Sequence, residues 1–271
     1  MKLDLSIIIP TLNCLKTLRW TFESIRPLKE AGVKVIVADS FSSDGTREAA
    51  ANFADRIVEV PKGNMYVAIN AGMAVASTEW LGYINADDII YPRAIEKAFS
   101  ELPNNLDLIY GCLDFIDSDG RFLHGFITPP ARDIIPLGAM CINAVPPQGA
   151  FFRRRIFERL GGFDTRLRLA GDFDFFLRAK KEGFKFRRVL FPPLAAYRMH
   201  PAQYSQTQNN ALHIEGWESI GRNGIKAALI DKVRSFVFFK LRNIDGYILR
   251  LIRSRQLFGA YRGKACMDFD E

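Results

Sequence analysis

Apolar residues in this chain come first in short unbroken runs and only later at helical spacing. Leu3 to Pro10 is the first run, with three consecutive isoleucines, and it reads as a buried strand. From Asn13 the spacing changes: Leu15, Leu18, Phe22 and Ile25 recur at three- and four-residue intervals, which predicts a helix. Val33 to Ala38 is a second, β-branched run that ends on Asp39, and in the SFSSDGT after it Ser42, Ser43 or Asp44 can cap a helix through Glu48 and Ala51. Arg56 to Val60 gives a short third strand. PKGNMYVAINAGMAVAS then reads as a loop entering a helix that stops before an apolar strand at Trp80. Four strands alternating with helices over about ninety residues set the rhythm of a mostly parallel central sheet covered by helices on both faces, an α/β fold of Rossmann-like type.

That rhythm breaks after Leu106 to Ile116, where DSDG predicts a hairpin turn and Phe122 to Ile127 its return strand. Thr128 to Pro147 has prolines, glycines and small apolar residues without a period, as in a loop placed to cover a crevice. Gln148 to Phe152 predicts a short strand, RRRIFERL a helical turn or two, and AGDFDFFLRAKK a helix from about Asp172 to Lys181. From Leu212 the composition turns to helix formers. Leu229, Val233, Phe236, Leu241, Ile244, Ile248 and Leu251 recur at helical spacing, and residues 225–264 carry ten Lys and Arg against two Asp. An amphipathic basic stretch of this kind either lies on an anionic membrane surface or packs its apolar side on the rest of the chain.

Composition narrows the classes without choosing one. A chain of 271 residues with 48% hydrophobic content can bury a sizeable core. Its net charge of +7 and pI near 9.3 favour a negatively charged partner: a nucleotide, a nucleic acid or an anionic membrane. Cys14, Cys112, Cys141 and Cys266 are far apart with no CxxC pair, which argues against a zinc site or a disulfide framework and for free thiols in a reducing compartment. IIIP is too short for a signal-peptide core, and no run reaches the roughly 18 apolar residues of a membrane span. A cytoplasmic protein, peripheral at the inner face of the membrane, is the expectation.

The chemistry concentrates in WLGYINADDIIYP, Trp80 to Pro92, where an apolar run ends in Asp87 and Asp88. Adjacent acids at the end of a buried strand repel each other and lose hydration, so a cation or fixed donors must compensate them. Mg²⁺ or Mn²⁺, which take one or two carboxylates plus diphosphate oxygens, would do so. The alternative is a helix cap before Pro92. In parallel sheets ligands bind outside the carboxyl ends of the strands. Pro10 and Thr11, Asp39, and Asp87 with Asp88 all fall at such ends, so they should converge on one crevice.

Taken in order, IIIPTLN, VADSFSSDGT, PKGNMYVAINAGMAVASTEWLGYINADD, QGAFFRRRIFERLGGFD, AGDFDFFLRA and YRMHPAQYS resemble a family 2 glycosyltransferase with the GT-A fold, over roughly residues 4–207. The resemblance implies an inverting transferase that uses a nucleotide-sugar donor, UDP-linked here, a glycan or lipid-linked acceptor, and a divalent cation, Mn²⁺ or Mg²⁺. It implies a catalytic domain over 1–208, with a nucleotide-sugar half to about 115 and an acceptor half from 116, followed by the basic helical extension 209–271. Pro10, Thr11, Asn13 and Asp39 match positions lining the nucleoside pocket, with Asp39 the acid that reads the base; its other reading is a turn cap. Asp44-Gly45-Thr46 matches a structural turn. Lys62, Gly63 and Asn70 fall where the family contacts the nucleotide sugar. Asp88 matches the direct metal ligand, Asp87 a residue closer to the sugar, and Asp172 the general base that deprotonates the acceptor hydroxyl. Asp174 is the second choice for the base, its simpler role being an ion pair with Arg178 at i+4. His200 matches a position near metal or phosphate, Arg198 one near the diphosphate, and Gln148 one on the acceptor wall. The chain departs from the family in having Ser40, Val67 and Gly171 where acids are frequent.

Two other classes compete. A metal-dependent nucleotidyltransferase would want a glycine-rich basic phosphate loop after the first strand, and IIIPTLN has none. A nucleic-acid module would interleave exposed aromatics with charge, whereas Phe236, Phe238 and Phe239 sit among apolar positions. No nucleic-acid partner is expected, and a homo-oligomer is left open.

Overall fold

The isoleucine run forms a strand with both faces buried, β1 (Leu5–Thr11), because its side chains alternate between two helical layers. Ile7 and Ile9 face a cluster that includes Leu18, Phe22, Ile25 and Leu28 of helix α1 (Leu15–Glu30). Ile8 faces Tyr66, Ile69 and Met73 of helix α3 (Met65–Ala74). This is a computed structural model; it describes residues 3–131, 136–137, 140–141 and 144–200, with positions 215, 233, 237, 240, 241, 244, 248, 249 and 251 beyond them.

The predicted alternation is present. β2 (Lys34–Asp39), α2 (Thr46–Ala51), β3 (Arg56–Glu59), α3 and β4 (Trp80–Tyr83) follow α1, and β1 pairs in parallel with β2 and β4. Beyond β4 come β5 (Ile89–Ile90), α4 (Pro92–Ser100), β6 (Leu108–Gly111), β7 (Leu113–Ile116) and β8 (Phe122–Phe126). A ribbon of β9 (Pro136–Leu137) and β10 (Met140–Cys141) precedes a 3₁₀ turn at Pro147–Gly149. β11 (Ala150–Arg153), α5 (Arg154–Leu160), α6 (Gly171–Lys181), β12 (Phe186–Val189) and β13 (Ala195–Arg198) complete the order.

The main sheet runs β12-β6-β11-β4-β1-β2-β3, with β11 antiparallel to both neighbours and the others parallel, so the mostly parallel sheet expected from the sequence is the one observed. A second sheet, β5-β13-β7-β8, lies beside it. Here the structure corrects the sequence reading. Leu106 to Ile116 is not one strand: β6 pairs with β12 in the main sheet, and after Cys112 the chain crosses to pair β7 with β13 and β8. Gly111 marks the crossing, since a Cβ there would stand 2.3 Å from Leu194 Cγ. The aperiodic stretch 128–147 also contains the β9–β10 ribbon.

Candidate active site

Loops at the carboxyl edge of β1, β2 and β4 carry most of the predicted residues, and the first two are tied together. Asp39, fully buried, accepts from Thr11 Oγ1 at 2.8 Å, from the Ser42 N–H at 2.9 Å and from Ser42 Oγ at 2.6 Å. Asn13, at φ +50°, donates its N–H to Ser42 Oγ at 2.9 Å and accepts from the Ser43 N–H at 2.8 Å. Asp44 takes the N–H groups of Leu15 and Thr46, and Thr46 Oγ1 takes that of Cys14. The DGT stretch is therefore a clasp between the loops after β1 and β2. Pro10 lies half-buried at the end of β1, and Lys62 and Gly63 are exposed in the loop before α3. Sequence reasoning passed over Leu12 and Phe41, both large, apolar and exposed on these loops, Phe41 at φ +57°. A positive φ on a bulky residue is uncommon and was the sort of signal only a structure supplies.

The acid pair sits on a turn held from three sides. Helix α1 donates Thr21 Oγ1 to the Asp88 carbonyl at 2.8 Å, and its Ser24 Oγ accepts from the Ile90 N–H. From β13, the Arg198 N–H donates to Asp88 Oδ1 at 2.9 Å; Asn85 and Gln148 donate to the same carboxylate. Asp88 is wholly buried, and that burial, with the charge of Asp87 second, pushes its pKa well above the usual carboxylate range. Asp87 is the accessible member of the pair, its Oδ2 3.0 Å from His200 Nε2.

Arg198, Gln148 and Asn70 stand elsewhere than the resemblance implied. Arg198, expected near the diphosphate, is only 1% exposed; its guanidinium donates to the carbonyls of Asp87, Asp117 and Ser118 and lies over Trp20. It braces the acid turn from behind. Gln148, expected on the acceptor wall, is buried against Asp88.

Asp172 lies in the first turn of α6. Its Oδ1 accepts from the Phe173 N–H at 2.9 Å and from Tyr66 Oη at 3.3 Å. Asp174 accepts from Arg178 Nε at 2.7 Å, and Arg178 also donates to the carbonyls of Leu160 and Gly162, so the i+4 ion pair is formed. Tyr83 is at the end of β4, and its buried hydroxyl has no hydrogen-bond partner among the described residues. Burial first, then the charge of Asp172, with Tyr66 and Asp88 adding to it, pushes its pKa well up. Asn70, expected at the nucleotide sugar, instead clamps a backbone, its amide donating to the Phe163 carbonyl at 2.8 Å and accepting from the Phe163 N–H at 2.9 Å.

Carboxylates with one imidazole suit a divalent cation. The sealed, under-compensated Asp88 is an observation in favour of one. Among the described residues no three His, Cys, Asp or Glu side chains form a cage of their own. The set fits a cation that completes its shell with substrate oxygens.

Comparison with known proteins bears on the family and the fold. Residues 6–161 match the family described as Glycosyl transferase family 2. A Mycobacterium bovis protein, "PGL/p-HBAD biosynthesis glycosyltransferase", is 30% identical over 202 residues, covering 71% of this chain and 75% of its own. Among solved structures, S. aureus TarS 1–349 in complex with UDP-GlcNAc superposes with a TM-score of 0.63 at 16% identity, over 90% of this chain and 73% of that one. The mannosyltransferase PcManGT from Pyrobaculum calidifontis, in complex with GDP-Man and Mn²⁺, does so with a TM-score of 0.61 at 19% identity, over 96% and 76%.

Proposed function

The chain belongs to glycosyl transferase family 2, and from that premise we propose that it moves a sugar from a nucleotide-sugar donor, with UDP as the nucleotide, to a hydroxyl of a glycan or lipid-linked acceptor, inverting the anomeric carbon. It is a glycosyltransferase; the donor, acceptor and stereochemistry are the proposal. The observation that carries it is the buried Asp88 at the carboxyl edge of the sheet, with Asp87 and His200 at its accessible edge and the Arg198 N–H and Asn85 amide on its carboxylate.

In this reading Thr11, Asn13 and Asp39 form the floor for the nucleoside, with Pro10 beside them, and Lys62 and Gly63 approach the sugar nucleotide from the loop before α3. Asp87, Asp88 and His200 would hold Mn²⁺ or Mg²⁺, with Asp87 and His200 at the accessible edge. When bound, such a cation supplies Lewis-acid stabilisation of the departing diphosphate. Arg198 and Gln148 keep the acid turn in shape. Asp172 takes the proton from the acceptor hydroxyl as its oxygen attacks the anomeric carbon, and the Tyr66 hydroxyl and Phe173 N–H keep that carboxylate oriented.

The C-terminal stretch supports a peripheral membrane setting. Val233, Val237, Leu241, Ile244, Ile248 and Leu251 are exposed at three- and four-residue spacing within a segment of ten basic and two acidic residues. An apolar stripe beside cationic charge complements an anionic bilayer, where a lipid-linked acceptor would be found. No described helix is long and apolar enough to cross a membrane.

The test is release of nucleoside diphosphate from a panel of UDP-, GDP-, CMP- and dTDP-sugars, with and without Mn²⁺ or Mg²⁺. One nucleotide class should turn over in a cation-dependent way, and Asp172→Asn should lower kcat by roughly 10²- to 10⁴-fold. Release from no donor at all would sink the reading.

A further inference from the structure

The loop that delivers Asp172 has its carbonyls and its amides held by different parts of the chain. Residues at the start of α3 take the carbonyls of alternate positions. Asn70 Nδ2 donates to Phe163 O, Asn64 Nδ2 to Thr165 O and Leu167 O at 2.7 Å each, and the single Tyr66 hydroxyl proton is shared between Leu169 O at 3.2 Å and Asp172 Oδ1 at 3.3 Å. The amides of the last three residues before α6 turn the other way. The N–H groups of Arg168, Leu169 and Ala170 converge on a single oxygen, Glu215 Oε2, at 2.9, 2.7 and 3.1 Å.

Glu215 lies in the basic C-terminal extension, 45 residues beyond Ala170. Ala170 is the N-cap of α6 and makes no side-chain capping bond, and the Glu215 carboxylate, from a remote part of the chain, holds the three amides that lead into the helix, up to that of the N-cap itself. A carboxylate on successive backbone N–H groups just before an eleven-residue helix is favoured by charge-assisted hydrogen bonding and lies towards the positive end of the helix dipole. Two residues on, Asp172 begins the helix with its N–H on Tyr66 Oη at 3.3 Å. Gly171 between them is pressed against the Tyr66 ring, where a Cβ would stand 2.6 Å from Cε2. The loop therefore has little freedom as long as both sides are held, and Glu215 holds one side.

We propose that Glu215 is a positioning residue for Asp172, so that the C-terminal extension completes the acceptor side of the active site. The proposal rests on the transferase reading for its kinetic half only. Without the carboxylate, three neighbouring amides lose a charged partner, and the loop opens on the α6 side while α3 still grips its carbonyls. The chemical step, which needs Asp172 at the acceptor hydroxyl, slows; the nucleotide pocket, built on β1, β2 and the acid turn, is untouched.

The experiment compares full-length wild type with Glu215→Ala and Glu215→Gln. Amide hydrogen exchange across residues 165–171 should be at least about tenfold faster in Glu215→Ala and intermediate in Glu215→Gln, which keeps a neutral acceptor oxygen. In turnover, kcat for Glu215→Ala should fall roughly tenfold with donor KM unchanged, and added formate should restore both protection and kcat, as it would not for a general loss of fold. Thermal melting of the two variants reports whether the fold is kept. Unchanged exchange in Glu215→Ala overturns the contact, and faster exchange with unchanged kcat overturns the positioning role. If wild type turns over no donor, the transferase reading fails instead, and exchange with formate rescue alone decides whether Glu215 holds the loop.

Discussion

A carboxylate with no access to water and a second acid beside it makes Asp88 a liability for folding unless something cationic joins it. Its folded pKa lies above its ordinary value, so its contribution to stability is intact at low pH, where the acid is protonated in both states, and is lost as pH rises through the folded value. Asp88→Asn removes that loss. We expect the cation-free variant to melt higher than wild type at pH 8, with the gap closing as pH falls to the ordinary carboxylate range, while sugar transfer is abolished; an equal or lower melting temperature at pH 8 would contradict the account. Cys14 gives an independent check, since burial raises its thiol to about 11. At pH 7.5 it should alkylate with iodoacetamide far more slowly than a free thiol, measured by mass spectrometry of the native protein. Among single residues, the acids were legible because Asp39, Asp87, Asp88 and Asp172 interrupt apolar runs, where folding alone gives no reason for charge. Arg198 and Asn70 were not. Both are polar residues in motifs, and only the fold reveals that their donors are committed to backbone carbonyls.

At the scale of elements, the junction of α3 with α6 holds Asp172, the proposed base. Gly171→Ala forces a methyl into the Tyr66 ring. We expect a stability loss of about 1–3 kcal/mol, read by urea unfolding, together with a fall in kcat, because the Tyr66 hydroxyl and Asp172 shift together. A neutral substitution would mean that the ring moves freely and does not orient the carboxylate. The first four strands and their helices were readable because each apolar run is bounded by turn residues and covered locally. β5, β12 and β13 were not, at two to four residues each with partners far away in sequence. The split of β6 from β7 was hidden for a related reason: nothing local distinguishes a strand that changes sheets from one that continues.

Across the whole molecule, the proposed membrane contact joins the charge of the C-terminal segment to its exposed apolar residues. Wild type should sediment with vesicles of anionic lipid and not with neutral ones, less so at high salt, and Ile244→Glu with Ile248→Glu should release it without lowering the melting temperature. Binding to anionic vesicles retained by that double variant would refute the stripe as the contact. The fold class was legible at this scale from the strand–helix rhythm, but the division into a donor half and an acceptor half does not describe how the sheet is built. β11, which follows residue 116, lies between β4 and β6, which precede it. This ordering also bears on synthesis. A ribosome adding about 5–20 residues per second delivers β4 and β6 several seconds before the strand that joins them, and in that interval both present unpaired edges to any neighbouring chain. The nascent protein is therefore most in need of a chaperone after roughly two-fifths of it has emerged; Ala150–Arg153 closes the gap between the two strands, and the outer edge of β6 is covered only once Phe186–Val189 has left the exit tunnel.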